Sequence, residues 1–209
     1  MKINNRRSFI CGLKGLSLTK NEIIFLRKYK PWGIILFSRN IKNIQQTRNL
    51  TSKIKRIFMD QNYPILIDEE GSSVSRINKI IDTSLFSAKY FGDIYNKNKY
   101  KFKLHFKIYV NQISYILRKI GINLNTVPVL DVTHSKTSKV IGNRSYSNNP
   151  KVISKIGDFC INYFHKQRIG TIIKHIPGHG FAKDDSHKIK PIIKKPLKNL
   201  KEDFNVFKN

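Results

Sequence analysis

The sequence predicts an α/β fold in which parallel strands alternate with helices. Short apolar runs alternate with longer segments of helical periodicity, and unusual polar residues follow the ends of the apolar runs. Alternation of this kind is typical of parallel strands joined by right-handed helical crossovers. The 209 residues are enough for a domain with a buried core, so we assign residues 1–209 to a single domain.

Five apolar runs are expected to be strands. Each run has four to six residues, is rich in Ile, Val or Leu, and is bounded by Gly, Pro or Asn. This pattern is typical of strands that are buried on both faces. The runs are residues 9–13, 33–37, 65–68, 122–127 and 171–174.

Four helices are expected between these strands. Thr19 and Glu22 have the spacing of a capping box and predict the start of the first helix. Gly121 predicts the end of the third helix, and Asn149 with Pro150 predicts the start of the fourth. The expected helices cover residues 19–28, 44–59, 100–120 and 149–168, and the segment between the third strand and the third helix is expected to be a loop.

The chain is strongly basic, with a formal charge of +27 from 40 basic and 13 acidic residues. Taken alone, this charge suggests a nucleic-acid partner. However, the chain has 30 Lys, 10 Arg, 32 Ile and 2 Ala, which is a bias toward A/T-rich codons that a biased genome produces in any protein. The basic residues are also spread along the whole chain. We therefore do not expect nucleic-acid binding as the main function.

The cysteines and the apolar segments predict a cellular location. Cys11 and Cys160 lie in apolar runs and are expected to be free, buried thiols, which fits a reducing compartment. The N-terminal residues contain no apolar segment of the length of a signal peptide. No run reaches the roughly 18 apolar residues of a membrane span. We expect a cytoplasmic protein without a membrane partner.

The segment 174–187, KHIPGHGFAKDDSH, contains three of the six histidines of the chain. Its Pro and Gly residues predict an irregular loop after the fifth strand. Asp185 and His187 are two positions apart, and a carboxylate bonded to an imidazole suits it to general acid/base catalysis. A polar surface loop and a metal site are the alternatives. The metal ligands would be His175, His179, Asp184, Asp185 and His187.

Two further segments contain candidate binding residues. Asp68 and Arg76 are the ends of DEEGSSVSR, which follows the third strand. A carboxylate can accept two hydrogen bonds from vicinal hydroxyls and an arginine can donate two, so the pair suits a sugar, although a solvated acidic turn is the alternative. Arg144 lies in VIGNRSY, where an ordinary turn is the alternative. Active sites of parallel α/β barrels form at the carboxyl ends of strands, which these segments follow.

Taken together, the motifs resemble glycoside hydrolase family 3. Their order and spacing are most similar to the cytoplasmic β-N-acetylhexosaminidases of bacterial peptidoglycan recycling, from about residue 9 to residue 209. The resemblance implies a TIM (β/α)8-type barrel that is incomplete, with about five of the eight strands present. The motifs are GIILFSRN, LIDEEGSSVSRI, GINLNTVPVLDV, VIGNRSYSNNP and KHIPGHGFAKDDSH.

The resemblance also implies roles for particular side chains. His187 is expected to be the proton donor and acceptor, with Asp185 as the partner that tunes it. The implied reaction is retaining hydrolysis that releases a terminal β-linked N-acetylglucosamine, with glucose as the alternative sugar, and needs no metal or cofactor. The expected substrate-binding residues are Asp68, Arg76, Arg144, Lys174 and His175.

The sequence departs from the family pattern in three ways. Ser72 replaces the second glycine of a turn and is expected to crowd it, while Asn143 replaces an aspartate that would orient the following arginine. The family's nucleophile, an aspartate after the seventh strand, is absent from these 209 residues together with strands six to eight. We therefore expect a chain that is inactive alone. The alternatives are half of a split enzyme completed by a second chain and a non-catalytic carbohydrate-binding module.

Overall fold

The structure is a computed structural model that describes residues 6–135, 137, 139–182, 190, 192–193 and 195–208. Five strands form one parallel sheet in sequence order. The predicted α/β fold with parallel strands is confirmed. The strands are β1 Arg7–Gly12, β2 Pro31–Leu36, β3 Ile65–Ile67, β4 Leu124–Asn125 and β5 Gly170–Thr171.

The last two strands are shorter than the sequence predicts. The side chain of Asn125 takes over the role of ladder hydrogen bonds at the end of β4. Its Oδ1 accepts from the backbone N–H of Glu69 at 3.0 Å, and its Nδ2 donates to the Glu69 carbonyl at 2.9 Å. Beyond β5 the pairing continues only as an isolated parallel bridge between Val129 and Lys174. The Asn125 side chain therefore holds the segments that follow β3 and β4 together where these two strands end.

The described sheet is open, with β1 and β5 at its two edges. Each of these strands pairs with one neighbour among the described residues, β2 for β1 and β4 for β5. A closed barrel needs hydrogen bonds between its first and last strands. The described residues do not form that closure, so the TIM-type barrel stays a prediction.

The predicted helices are present with small changes in their bounds. The capping box is formed, because Thr19 Oγ1 accepts from the Glu22 N–H at 3.1 Å and Glu22 Oε2 accepts from the Thr19 N–H at 2.8 Å. Gly121, just beyond the fourth helix, has a φ of 79°, as expected for a residue that ends a helix. The helices are α1 Lys20–Tyr29, α2 Ile44–Ile57, α3 Ala88–Lys97, α4 Lys99–Lys119, α5 Pro150–Lys166 and α6 Lys201–Asn205.

The expectation of a loop before α4 is wrong, because α3 occupies part of that segment. Ser87 caps this helix by accepting from the Tyr90 N–H at 3.1 Å, and Asn98 separates α3 from α4. Gly92 in the middle of α3 weakens the helical signal of the sequence. A side chain at Gly92 would lie 1.8 Å from the carbonyl oxygen of Tyr146. Glycine at this position therefore lets α3 pack directly against the segment that follows Arg144.

The core lies between the sheet and the helices. Five isoleucine and leucine side chains of β2 and β3 are fully buried, and β3 is buried on both faces as predicted. The same expectation is wrong for β1, where no residue between Arg7 and Gly12 is buried, because β1 lies at an edge of the described sheet. Aromatic rings of Phe91, Phe102 and Phe106 fill the contact between α3 and α4. No helix in the described part of the chain has the length and apolar character needed to cross a membrane.

Candidate active site

Asp68 lies directly after β3, at the carboxyl edge of the sheet, where it meets two cations. Its Oδ1 is 3.2 Å from Lys174 Nζ, and its Oδ2 is 3.7 Å from Arg76 Nη2. Thr126, directly after β4, donates a short hydrogen bond to the same Oδ1. Burial raises the pKa of Asp68, but the charge of Lys174 and the bond from Thr126 outweigh it and hold the pKa below its ordinary value. Asp68 is therefore an ionised carboxylate at neutral pH.

Glu70 brings Arg144 and Lys174 together. Arg144 donates from Nε to Oε2 and from Nη2 to Oε1, both at 2.8 Å, and Lys174 Nζ lies 2.5 Å from Oε1. Burial raises the pKa of Glu70, but the hydrogen bonds from Arg144 and the charge of Lys174 hold the pKa below its ordinary value. A two-fold arginine–carboxylate contact fixes the plane of the guanidinium as well as its position.

His175 is held between a carboxylate and an arginine. Its Nδ1 lies 2.6 Å from Asp131 Oδ2, and its Nε2 lies 3.3 Å from Arg144 Nη2. Asp131 is fully buried after β4, and its other oxygen accepts from the backbone N–H of His179 at 2.7 Å. One carboxylate therefore fixes the His175 ring and the turn that follows it.

Glu69 organises the loop that holds Arg76. Its Oε2 accepts from the Ser75 hydroxyl and from the Arg76 N–H, both at 2.9 Å, and its Oε1 accepts from the Thr83 hydroxyl at 3.3 Å. Burial raises the pKa of Glu69, and these hydrogen bonds counteract the increase only in part. The side chain is almost completely buried, so it acts on the site through the loop.

The two substituted positions of the family pattern lie next to each other. Ser72 has a φ of 52°, in the left-handed region that favours glycine, so its side chain does strain the turn. Asn143 Nδ2 donates to Ser72 Oγ at 3.3 Å. Asn143 brings no carboxylate to Arg144, as expected from the sequence, but Glu70 provides one, with Arg144 Nε 2.8 Å from Oε2.

The structure brings together all five residues that the sequence predicts to bind substrate: Asp68, Arg76, Arg144, Lys174 and His175. The predicted acid/base pair, His187 and Asp185, lies outside the described residues, as does Asp184. Within residues 6–135, 137, 139–182 and the described positions after 189, no group of three or more His, Cys, Asp or Glu side chains could hold a metal ion. Of the five candidate metal ligands named from the sequence, only His175 and His179 lie within the described residues.

Three residues that complete this site, Glu70, Asp131 and Thr126, have no role that the sequence alone predicts. Glu70 and Asp131 carried a weak signal, since both are acidic residues next to strand ends in a chain with few of them. Thr126 carried no signal, because a threonine after a strand is ordinary in any sequence. Their roles follow from neighbouring strands, which lie far apart in the sequence.

Comparison with known proteins supports the resemblance. Residues 14–208 match the family model described as Glycosyl hydrolase family 3 N terminal domain. The beta-hexosaminidase of Thioalkalivibrio sulfidiphilus is 29% identical over 195 residues, which are 93% of this chain and 55% of that protein. The beta-hexosaminidase of Neisseria meningitidis is 32% identical over 190 residues, which are 89% of this chain and 51% of that protein. The chain thus spans about half the length of these curated relatives.

A solved structure gives the same result at the level of the fold. NagZ from Neisseria gonorrhoeae, in complex with N-trifluoroacetyl-D-glucosamine, superposes with a TM-score of 0.87 and 30% identity. The match covers 97% of this chain and 60% of that one. Since the family model covers nearly the whole chain, the chain belongs to glycosyl hydrolase family 3, as its N-terminal domain.

Proposed function

We propose that this chain is the sugar-binding part of a β-N-acetylhexosaminidase that recognises a terminal N-acetylglucosamine residue. The observation that carries the proposal is the convergence of five predicted side chains at one edge of the sheet. The similar NagZ structure from Neisseria gonorrhoeae was solved with a derivative of glucosamine, which supports the same class of ligand.

Side-chain exposure divides the site into groups that reach a ligand and groups that hold them. The side chains of Asp68, Arg76 and His175 are 21%, 28% and 36% exposed. Those of Glu70 and Asp131 are 6% and 0% exposed. The partly exposed Asp68 carboxylate can accept hydrogen bonds from vicinal hydroxyls, and the partly exposed Arg76 can donate to a sugar oxygen. The proposed binding face therefore rests on a buried layer of carboxylates.

Hydrolysis needs two further groups. We assign the acid/base role to His187, with Asp185 as its tuning partner, on the DSH motif alone. A retaining mechanism also needs a carboxylate that attacks the sugar. On the family resemblance, we place the nucleophile after the seventh strand, outside the described residues, and propose that the chain alone has no turnover.

The remaining strands of a (β/α)8 barrel would supply the nucleophile. The edges of the described sheet, β1 and β5, have unpaired backbone groups on their outer sides within the described residues, and Ile10 of β1 is 44% exposed. Such edges are suited to further strands. If a second chain supplies these strands, the protein is one half of a split enzyme. If no chain supplies them, the protein is a non-catalytic carbohydrate-binding module.

The substrate class belongs to the same proposal. Muropeptide-derived saccharides with a terminal N-acetylglucosamine fit the family resemblance, and a role in peptidoglycan recycling would place the protein in the cytoplasm. Both cysteines are free, Cys11 half-buried and Cys160 buried, which is compatible with a reducing compartment.

Calorimetric titration of the 209-residue chain with N-acetylglucosamine tests the binding claim. We expect saturable binding that Asp68→Asn or Arg76→Lys weakens about tenfold, since each change removes a charge-assisted or two-fold hydrogen bond. Asp93→Asn serves as the control, because Asp93 forms an exposed ion pair with Lys89 on α3, away from the site. Binding that is absent at millimolar sugar, or equal in all variants, would contradict the proposal.

A chromogenic β-N-acetylglucosaminide tests the claim about turnover. We expect no release of chromophore by the chain alone, and release when a chain carrying the remaining strands is added. Robust hydrolysis by the 209 residues alone would show that the nucleophile does not lie elsewhere.

A further inference from the structure

Asp131 uses its two oxygens on two different parts of the segment that follows β5. Its Oδ2 lies 2.6 Å from Nδ1 of His175, and its Oδ1 accepts from the backbone N–H of His179 at 2.7 Å. The carboxylate is fully buried. His175, by contrast, is partly exposed toward the site. Asp131 therefore cannot contact a substrate itself and can act only through the side chain and the turn that it holds.

The neighbours of His175 determine which ring nitrogen carries the hydrogen. One Asp131 oxygen accepts from the His179 N–H and the other lies 2.6 Å from Nδ1, so Nδ1 donates a hydrogen bond to the carboxylate. On the other side, Arg144 has only N–H donors, and its Nη2 lies 3.3 Å from Nε2. A donor beside Nε2 requires a lone pair on that nitrogen. Both neighbours therefore select the same tautomer of the imidazole, with the hydrogen on Nδ1.

We propose that Asp131 is a positioning residue that holds His175 in the Nδ1–H tautomer, so that the single lone pair on Nε2 accepts from Arg144 and fixes this arginine at the sugar-binding face. This inference rests on the proposed function, which it deepens. Because Arg144 uses the only lone pair of Nε2, His175 acts on the sugar by fixing the arginine that donates to it. Glu70 also holds Arg144, through Nε and Nη2, so the arginine supplies the donor side of the binding face.

Because each Asp131 oxygen accepts a hydrogen bond from a different group, an amide is a poor replacement for this carboxylate. A carboxylate accepts at both oxygens, whereas an asparagine offers one acceptor and one donor. In Asp131→Asn, the amide NH2 must face either His175 Nδ1 or the His179 N–H. The first arrangement reverses the tautomer of His175, and the second releases the turn. Either arrangement disturbs the binding face while changing the side-chain volume very little.

The chain contains a second carboxylate–imidazole pair that provides a matched control. Asp203 of α6 is 4% exposed, and its Oδ2 lies 3.2 Å from Nε2 of His134. The ring of His134 stacks on Phe181 at 3.6 Å. Burial raises the pKa of Asp203, and Asp131 is close enough for its charge to raise this pKa further, but the bond of Asp203 is to His134. Asp203→Asn therefore removes the same chemistry from a buried pair that does not touch His175.

The test measures the ring nitrogens of the histidines by long-range 1H–15N NMR on the 209-residue chain. His175→Gln identifies the signals of His175 among those of the six histidines. We expect the wild-type ring to carry its hydrogen on Nδ1. Asp131→Asn should move the hydrogen toward Nε2 or mix the two forms, and it should weaken N-acetylglucosamine binding about tenfold or more. Asp203→Asn should alter neither the His175 signals nor the affinity by more than twofold.

The outcomes separate this proposal from the proposed function. A wild-type ring with its hydrogen on Nε2 would overturn the positioning role, and this measurement does not require any variant to fold. An unchanged His175 tautomer with unchanged affinity in Asp131→Asn would overturn it as well. If the wild-type chain does not bind the sugar while Asp131→Asn still shifts the tautomer, the proposed sugar-binding function fails and the positioning of His175 by Asp131 is supported.

Discussion

Arg144 and Glu70 form a two-fold contact across the candidate site, with both hydrogen bonds at 2.8 Å. The two residues are 74 positions apart in the chain and follow different strands. Lys174 reaches the same carboxylate from the segment after β5, so residues that follow three neighbouring strands meet at Glu70. This contact is the centre of the buried layer that supports the proposed sugar-binding face.

Glu70→Gln is expected to destabilise the fold by about 3 kcal/mol, because breaking a buried ion pair leaves its partner charges uncompensated. Here the charges left behind belong to Arg144 and Lys174. Urea unfolding followed by circular dichroism measures the change. Asp93→Asn breaks the exposed Lys89–Asp93 pair instead and should change stability by less than about 1 kcal/mol. Equal effects of the two substitutions would contradict this account.

The stability of the chain is expected to fall in acid, and Glu70 is expected to be one cause. Asp68 and Glu70 have lower pKa values in the folded than in the unfolded chain. Their contribution is complete above the unfolded values of about 4 and is lost as the pH falls through the folded values. The pKa of Glu69 changes in the opposite direction, because burial raises it in the folded chain. Its contribution to stability is therefore present at low pH and lost as the pH rises.

Unfolding midpoints between pH 3 and pH 7 test this assignment. Glu70→Gln should make the loss of stability in acid less steep than in the wild type, since one of the carboxylates with a lowered pKa is gone. An identical acid slope in both proteins would show that other carboxylates cause the loss.

The turn after Glu70 predicts opposite effects at adjacent positions. Ser72→Gly should stabilise the fold by roughly 0.5–1 kcal/mol, because Ser72 has a φ of 52° and glycine removes a cost of about 1–2 kcal/mol. Gly71→Ala should destabilise by roughly 2 kcal/mol or more, since its φ is 87° and an added Cβ would lie 2.3 Å from the carbonyl oxygen of Phe86. Thermal unfolding of both variants checks the signs, and two changes of the same sign would contradict the assignment.

The two cysteines should differ in their reactivity. Burial raises the pKa of the Cys160 thiol to about 12, and the side chain is 1% exposed. Burial also raises the pKa of Cys11, but this residue is only half-buried. We expect a thiol reagent at pH 8 to modify Cys11 in the folded chain and Cys160 only after denaturation. In Cys11→Ser the reaction of the folded chain should disappear, and persistent fast labelling there would refute the difference.

Much of the fold could be predicted from local patterns. The apolar runs, the capping box at Thr19 and the glycine at position 121 determine strands and helix ends through interactions within a few residues. Helix α3 could not be predicted, because Gly92 is unfavourable in a helix unless another segment approaches closely. That segment is the backbone at Tyr146, which is distant in sequence.

The sequence by itself determined the fold class, the family and the five side chains expected to bind a sugar, since motif residues and apolar periodicity are local properties. Only the tertiary structure decided how those side chains are held. Glu70 orients Arg144, Asp131 orients His175, and Thr126 bonds Asp68. Each of these contacts joins residues that follow different strands. The physical reason is that parallel strands place their carboxyl ends side by side, so side chains that are 44 to 74 positions apart become hydrogen-bond partners.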